Sequence, residues 1–161
     1  MAGFTKTRIV DPSGGGTDTS ISGALSNVSN GGTVIVEEYN STGSGYSISS
    51  AMTVPSNVTL IGRGNVLITV TADTNVFTSN GGSRIVISGF RIKADRGGSD
   101  NYSSQLIKFQ STKNCVIEKC TLSVVRPTTG SAGIYFLGTD GSTPNYAEGN
   151  IITECTISGD G

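Results

Sequence analysis

The chain contains no tryptophan and no histidine. Without histidine, any general base would have to be a carboxylate, a lysine or an arginine. Charge is scarce as well. Eleven Lys and Arg stand against twelve Asp and Glu, and only 14% of residues are charged. A net charge of −1 argues against wholesale binding to nucleic acid or to an anionic membrane, both of which want a basic face. No apolar run approaches the roughly 18 residues that a membrane-spanning helix needs. Met1 to Val10 is too polar for a secretory signal, so either a signal has been removed or export never used one. The three cysteines, Cys115, Cys120 and Cys155, are an odd number without zinc-ligand spacing. They read as small buried apolar residues rather than a disulfide framework.

What is abundant is glycine, serine, threonine and asparagine, which together make up nearly half of the 161 residues. Valine and isoleucine recur among them in short, regular runs. That composition favours strands and turns over helices, and the regular apolar runs argue against disorder. The length allows one domain with a sizeable core. Strand candidates follow one another from Thr33–Val36 to Cys155–Ser158, separated by Gly, Asn, Ser and Asp turns. Many short strands fit either an antiparallel sandwich or a parallel solenoid, and internal repeats decide between them.

Four segments align: NVTLIGRG (57–64), RIVISGFRI (84–92), NCVIEKCTL (114–122) and NIITECTI (150–157). Gly62, Gly89, Lys119 and Glu154 then fall in one column. A second run, LIKF (106–109) and GIYF (133–136), precedes the later copies, with NVFT (75–78) as a weaker match. Strands repeated in constant order, with the slack taken up in loops, describe the coils of a solenoid. The alignment predicts stacked interior columns. One holds Leu60, Ile87, Ile117 and Ile152, a second Phe90, Cys120 and Cys155, and a third Ile92, Leu122 and Ile157. Lys119 and Glu154 are expected to form an ion pair between coils. Val86, Val116 and Ile151 fall between interior positions and should face outward. An outward apolar stripe implies a cover, either a loop of this chain (94–105 or 138–149) or a neighbouring subunit.

The first coil needs a lid over its open core. Asp18-Thr19-Ser20 can cap a short helix running through Asn27, with Ile21, Ala24, Leu25 and Val28 on one face. The predicted organisation is an N-terminal extension over 1–17 and a parallel β-helix over 18–161. The latter opens with the cap at about 18–29 and continues as four to five coils. The chain stops at TISGDG, in the middle of a repeat, which suggests a piece of a longer solenoid.

The stretch 11–64 resembles the start of right-handed parallel β-helix proteins of the pectate-lyase-like superfamily. The resemblance rests on Thr17-Asp18-Thr19, the capping helix, Gly31-Gly32-Thr33-Val34, Tyr46-Ser47-Ile48, and Val54-Pro55-Ser56-Asn57-Val58-Thr59-Leu60 followed by Gly62. It implies an all-β, single-stranded parallel β-helix with a short capping helix. Such openings occur in bacteriophage tailspikes and in secreted polysaccharide lyases and hydrolases, so the resemblance specifies fold better than function. It also implies polysaccharide as the partner, a virion or extracellular location, and a homotrimer like that of phage spikes.

In that superfamily, sites lie on the outer face of the coils. Hydrolases there use carboxylate pairs; lyases use carboxylate-bound calcium and a basic residue. No carboxylates pair on one column here, so catalytic residues are expected outside this chain or C-terminal to it. The candidate ligand-binding residues lie in two loops. KADRGGSDN (93–101) holds Asp95, Arg96 and Asp100, whose oxygens could bind calcium, although no metal or other cofactor is required. GTDGSTPNYAEG (138–149) holds Asp140, Tyr146 and Glu148, with Tyr146 available to stack on a sugar. Three readings follow. The first is a tailspike or tail-fibre module that binds polysaccharide or builds the shaft. The second is the N-terminal part of a secreted polysaccharide lyase or glycoside hydrolase. The third is a structural or adhesion solenoid without enzymology.

Overall fold

The computed structural model describes residues 6–39, 45–96, 101–138 and 146–160. Short runs of Val, Ile and Thr form β1 (Lys6–Val10), β2 (Gly32–Glu37), β3 (Tyr46–Ile48), β4 (Met52–Thr53), β5 (Val58–Val70), β6 (Phe77–Asn80) and β7 (Val86–Ala94). They continue as β8 (Gln105–Gln110), β9 (Val116–Glu118), β10 (Thr121–Val125), β11 (Ala132–Leu137), β12 (Ile151–Thr153) and β13 (Thr156–Asp160). Among the described residues a single helix, α1 (Ile21–Asn27), lies between β1 and β2.

Every strand pairing is parallel. The chain winds as a β-solenoid of about five turns. One wall stacks β1, β2, the first half of β5, the first half of β7, β9 and β12. A second stacks β3, the rest of β5, the rest of β7, β10 and β13. The third stacks β4, β6, β8 and β11.

The interior columns have the register that the repeats predict. Leu60 pairs with Ile87, Ile87 with Ile117, and Ile117 with Ile152. Ile92 pairs with Leu122, and Leu122 with Ile157. The first members of each column are fully buried. Ile152 and Ile157 are about half exposed, at 47% and 51%, because no described residue stacks beneath them. The core therefore lengthens coil by coil, each coil burying the apolar side of its neighbour.

The corners repeat as well. Just before the first wall, Gly31, Asn57, Arg84, Asn114 and Gly149 all take positive φ. Glycine and asparagine tolerate that conformation; arginine rarely does. Arg84 is held there by its N–H bond to the Lys113 carbonyl (3.0 Å) and by its Nε bond to Asn57 Oδ1 (2.7 Å). The second corner places Gly89, Lys119 and Glu154 in the same left-handed region.

Four details differ from the sequence reading. Lys119 and Glu154 do stack, since the Lys119 N–H bonds the Thr153 carbonyl, but they form no ion pair. Their left-handed corner turns both side chains toward solvent. The segments 57–61 and 66–70 are one strand, β5, and Gly62 to Asn65 bulge out against Gly89. The match of NVFT to LIKF is displaced by one residue. Phe77 pairs with Ile107, so Ser79 occupies the column of Phe109 and Phe136. A one-residue slip exchanges the inner and outer faces of a strand, and the register puts Phe77 inside, fully buried. Finally, Lys6–Val10 adds a strand that the apolar pattern did not reveal.

That strand and α1 close the top of the core. Ser20 caps the helix, its Oγ accepting from the Gly23 N–H at 3.2 Å. Ile21, Ala24, Leu25 and Val28 are buried over the first coil. In the register of the first wall, Arg8 stands above Val34, at the head of the Leu60 column. It donates to both carboxylate oxygens of Asp18, from Nε at 2.6 Å and from Nη2 at 2.8 Å. Asn27 Nδ2 donates to the same carboxylate at 3.0 Å. A paired charge thus ends the column where an apolar residue would invite another coil.

These carboxylates set the acid limit of stability. The hydrogen bonds from Arg8 hold Asp18 below its ordinary 3.8. At Asp73 burial acts to raise the pKa, but hydrogen bonds from Ser103 and Ser104 outweigh it and hold the group at about 2. Both folded values lie below the unfolded ones. Their stabilisation is therefore fully present above about pH 4 and is lost as the pH falls toward 2. With no histidine to titrate, the urea midpoint should stay level between about pH 8 and 5 and fall between about 4 and 2. A midpoint that falls between pH 7 and 5 would contradict this.

Candidate functional site

The two acidic loops do not converge. In the first, Asp95 Oδ2 pairs with Lys93 Nζ at 2.7 Å, and Arg96 Nη1 donates to the Asn101 carbonyl at 2.6 Å. Asp100 lies outside the described residues. In the second, Glu148 Oε2 pairs with Lys113 Nζ at 3.4 Å, both side chains being exposed. The Glu148 main chain is anchored on the coil above it, its carbonyl accepting from the Asn114 N–H at 2.8 Å. Tyr146 is 64% exposed, and Asp140 lies outside the described residues. Among the described residues, no cluster of three or more acidic or thiol side chains could hold a metal ion. Two arginines are engaged locally: Arg63 pairs with Glu37, and Arg91 Nη1 donates to Asn65 Oδ1 at 2.9 Å.

A different site stands beside the lid. The segment from Thr19 to Ser22 enters α1 on one side. The chain from Tyr46 to Met52, which runs through β3 into β4, forms the other side. Between them is an open cleft of about 570 Å³, lined also by Pro12 and Tyr39. Two tyrosines shape it. The rings of Tyr39 and Tyr46 lie 5.8 Å apart at 58°. Tyr46 is fixed by its hydroxyl, which donates to the Glu37 carbonyl at 2.8 Å. Burial, reinforced by the charges of Asp11 and Glu37, pushes this phenol up to about 12, so it stays neutral and keeps that bond at physiological pH.

The rest of the lining is hydroxyl-rich. Thr19, Ser22, Ser47, Ser49 and Ser50 border the cleft, and their hydroxyls bond no other described residue. No described side chain in the lining is charged. Tilted aromatic faces with free hydroxyls around them suit a neutral polyhydroxylated ring, which offers C–H faces to the tyrosines and O–H groups to the serines. Among the described lining residues there is no carboxylate; the carboxylate charges of Asp11 and Glu37 act on the Tyr46 phenol.

Sequence reasoning missed this cleft because it is built from residues that read as turn formers. It also missed a second outward apolar column. Val86, Val116 and Ile151 do pair in register on the outer face of the first wall, and Ile151 is 53% exposed. Ile9, Ile35 and Ile61 pair in an adjacent outer column and are half-buried. The clue was present in RIV, VIV and LIG, each with isoleucine between interior positions.

Compared with known proteins, the chain matches no family model, no curated protein and no solved structure. The class of protein is thus defined by its architecture: a parallel β-solenoid with a helical lid, suited to a structural or polysaccharide-binding role.

Proposed function

We propose that this chain is a pectate-lyase-like β-helix module of a phage tailspike, tail fibre or similar extracellular appendage, and that it binds cell-surface polysaccharide in the cleft beside its lid. The observation that carries this reading is the pairing of Tyr39 and Tyr46 with unengaged hydroxyls in a cleft whose described lining side chains carry no charge. A rigid stack of coils supports such a site, because binding then orders few residues. The lyase or hydrolase reading finds less support, since no described carboxylates face each other on an outer column.

The test is binding of the chain to a panel of neutral and acidic bacterial surface polysaccharides. Neutral polymers should bind, and Tyr39→Ala should weaken binding about tenfold. Tyr39 makes no hydrogen bond that holds the lid, so its variant should fold normally. Failure to bind any neutral polymer, or unchanged binding by Tyr39→Ala, would refute the assignment.

The outer stripe favours a trimeric assembly within the same reading. Ile9, Ile35 and Ile61 form one outer column and Val86, Val116 and Ile151 a second, set two residues away on the same wall because Ile61 pairs with Ser88 and Val86 with Thr59; together they present apolar side chains on the outer face from the first coil to the last described one. Sedimentation should give a trimer, and Ile61→Lys should shift it to monomer. A monomeric wild-type chain would rule this out.

A further inference from the structure

Two of the three thiols occupy consecutive rungs of one interior column. Thr121 and Thr156 pair in register, and the Thr156 N–H bonds the Cys120 carbonyl at 2.9 Å, so Cys120 and Cys155 are direct neighbours. In-register residues on adjacent parallel strands lie roughly 4.8 Å apart, inside the window of about 4.4–6.8 Å that a disulfide spans. The thiols also share an orientation. Cys120 Sγ points to the Glu118 carbonyl (3.2 Å) and Cys155 Sγ to the Thr153 carbonyl (3.3 Å), in each case two residues back along the chain. Cys155 Sγ reaches further, to the Ile117 carbonyl of the preceding coil (3.6 Å). All the cysteines are reduced in this structure.

We infer that Cys120 and Cys155 form an oxidation site, closing a disulfide that staples the last described coil to the one before it. The oxidant is a low-molecular-weight disulfide such as oxidised glutathione. Cys155 is only partly buried and reacts first. Its thiolate attacks one glutathione sulfur, forming a mixed disulfide and releasing one glutathione thiolate. Cys120 then attacks the Cys155 sulfur, releasing the second. Two protein S–H bonds and one glutathione S–S bond are lost; one protein S–S bond and two glutathione S–H bonds are gained. The second step is the slow one, because burial pushes the Cys120 thiol up to about 11. It should accelerate as the pH rises.

Cys115 is the internal control. The Ile151 N–H bonds the Cys115 carbonyl, which places Asn150 beneath it, and the Cys115 N–H bonds Asn150 Oδ1 at 3.0 Å. It has no thiol neighbour in its column.

The experiment treats the folded chain with oxidised glutathione and follows intact mass and peptide maps. The expected product has lost two hydrogen atoms, carries no glutathione, and links the peptides containing Cys120 and Cys155. Its urea midpoint should rise, and a reducing agent should reverse the rise. Cys115→Ser should behave as wild type, whereas Cys155→Ser should give no link. A stable glutathione adduct on Cys155 without ring closure, a link to Cys115, or no reaction would each overturn the inference.

Discussion

Replacing Phe90 with alanine should cost about 3–5 kcal/mol of stability, a large part of the roughly 5–15 kcal/mol typical of a domain. Phe90 is fully buried, with its ring edge-on to Phe77 at 5.6 Å and 65°. On its own wall it stacks on Val66, with Cys120 on the next rung. Its neighbours are fixed by hydrogen bonds to the coils on both sides, so the cavity has little freedom to collapse. Ile157→Ala makes the contrast. It removes a residue from the equivalent interior face of the last described rung, where the side chain is 51% exposed, and should cost under about 1 kcal/mol. Urea unfolding of both variants reads the difference. Equal losses would mean that depth in the stack does not govern burial.

The second large effect is expected at Gly32. Its φ is +153°, and a Cβ there would sit 2.4 Å from the Lys6 carbonyl oxygen and 3.0 Å from Val28 Cγ1. Here the backbones of β1 and β2 and the end of the lid converge. Alanine brings both a strained backbone and an overlap with main-chain atoms that cannot step aside. Gly32→Ala should therefore destabilise by about 3 kcal/mol. Gly14 separates the two causes. Its φ is +94°, but a Cβ there would meet nothing within 4 Å. Gly14→Ala should cost only the backbone strain, about 1 kcal/mol. If the two variants lose the same amount, the close approach of lid and first coil is not what Gly32 serves.

The fold was legible because a solenoid writes its contacts into the sequence. Ile87, Ile117 and Ile152 repeat by strand position, and each rests on the residue with the same place in the preceding coil. The helix was legible through Ser20 and the spacing of Ile21, Ala24, Leu25 and Val28. Legibility failed where a coil departs from its neighbours. The strand Lys6–Val10 escaped because Arg8 stands at an interior position, and only its pairing with Asp18 makes that tolerable. Phe77 slipped by one residue because Ser79 stands where the later coils have Phe109 and Phe136.

The site was less legible than the fold. Asp95, Arg96 and Glu148 drew notice as charges in loops, but each has a local partner and they serve no common cleft. The cleft depends on Thr19, Ser22, Ser47 and Ser49, which repeat nothing and resemble turn residues. Their convergence follows from how the lid sits on the first coil, a tertiary fact without a local signature.

The most direct test of the account is the chain length of a bound neutral polysaccharide before and after long incubation with the protein, measured by light scattering. The proposed cleft holds a neutral sugar and has no carboxylate among its described lining residues. Polymer length should therefore stay constant while the protein remains bound. Progressive shortening of the polymer by this chain alone would contradict it.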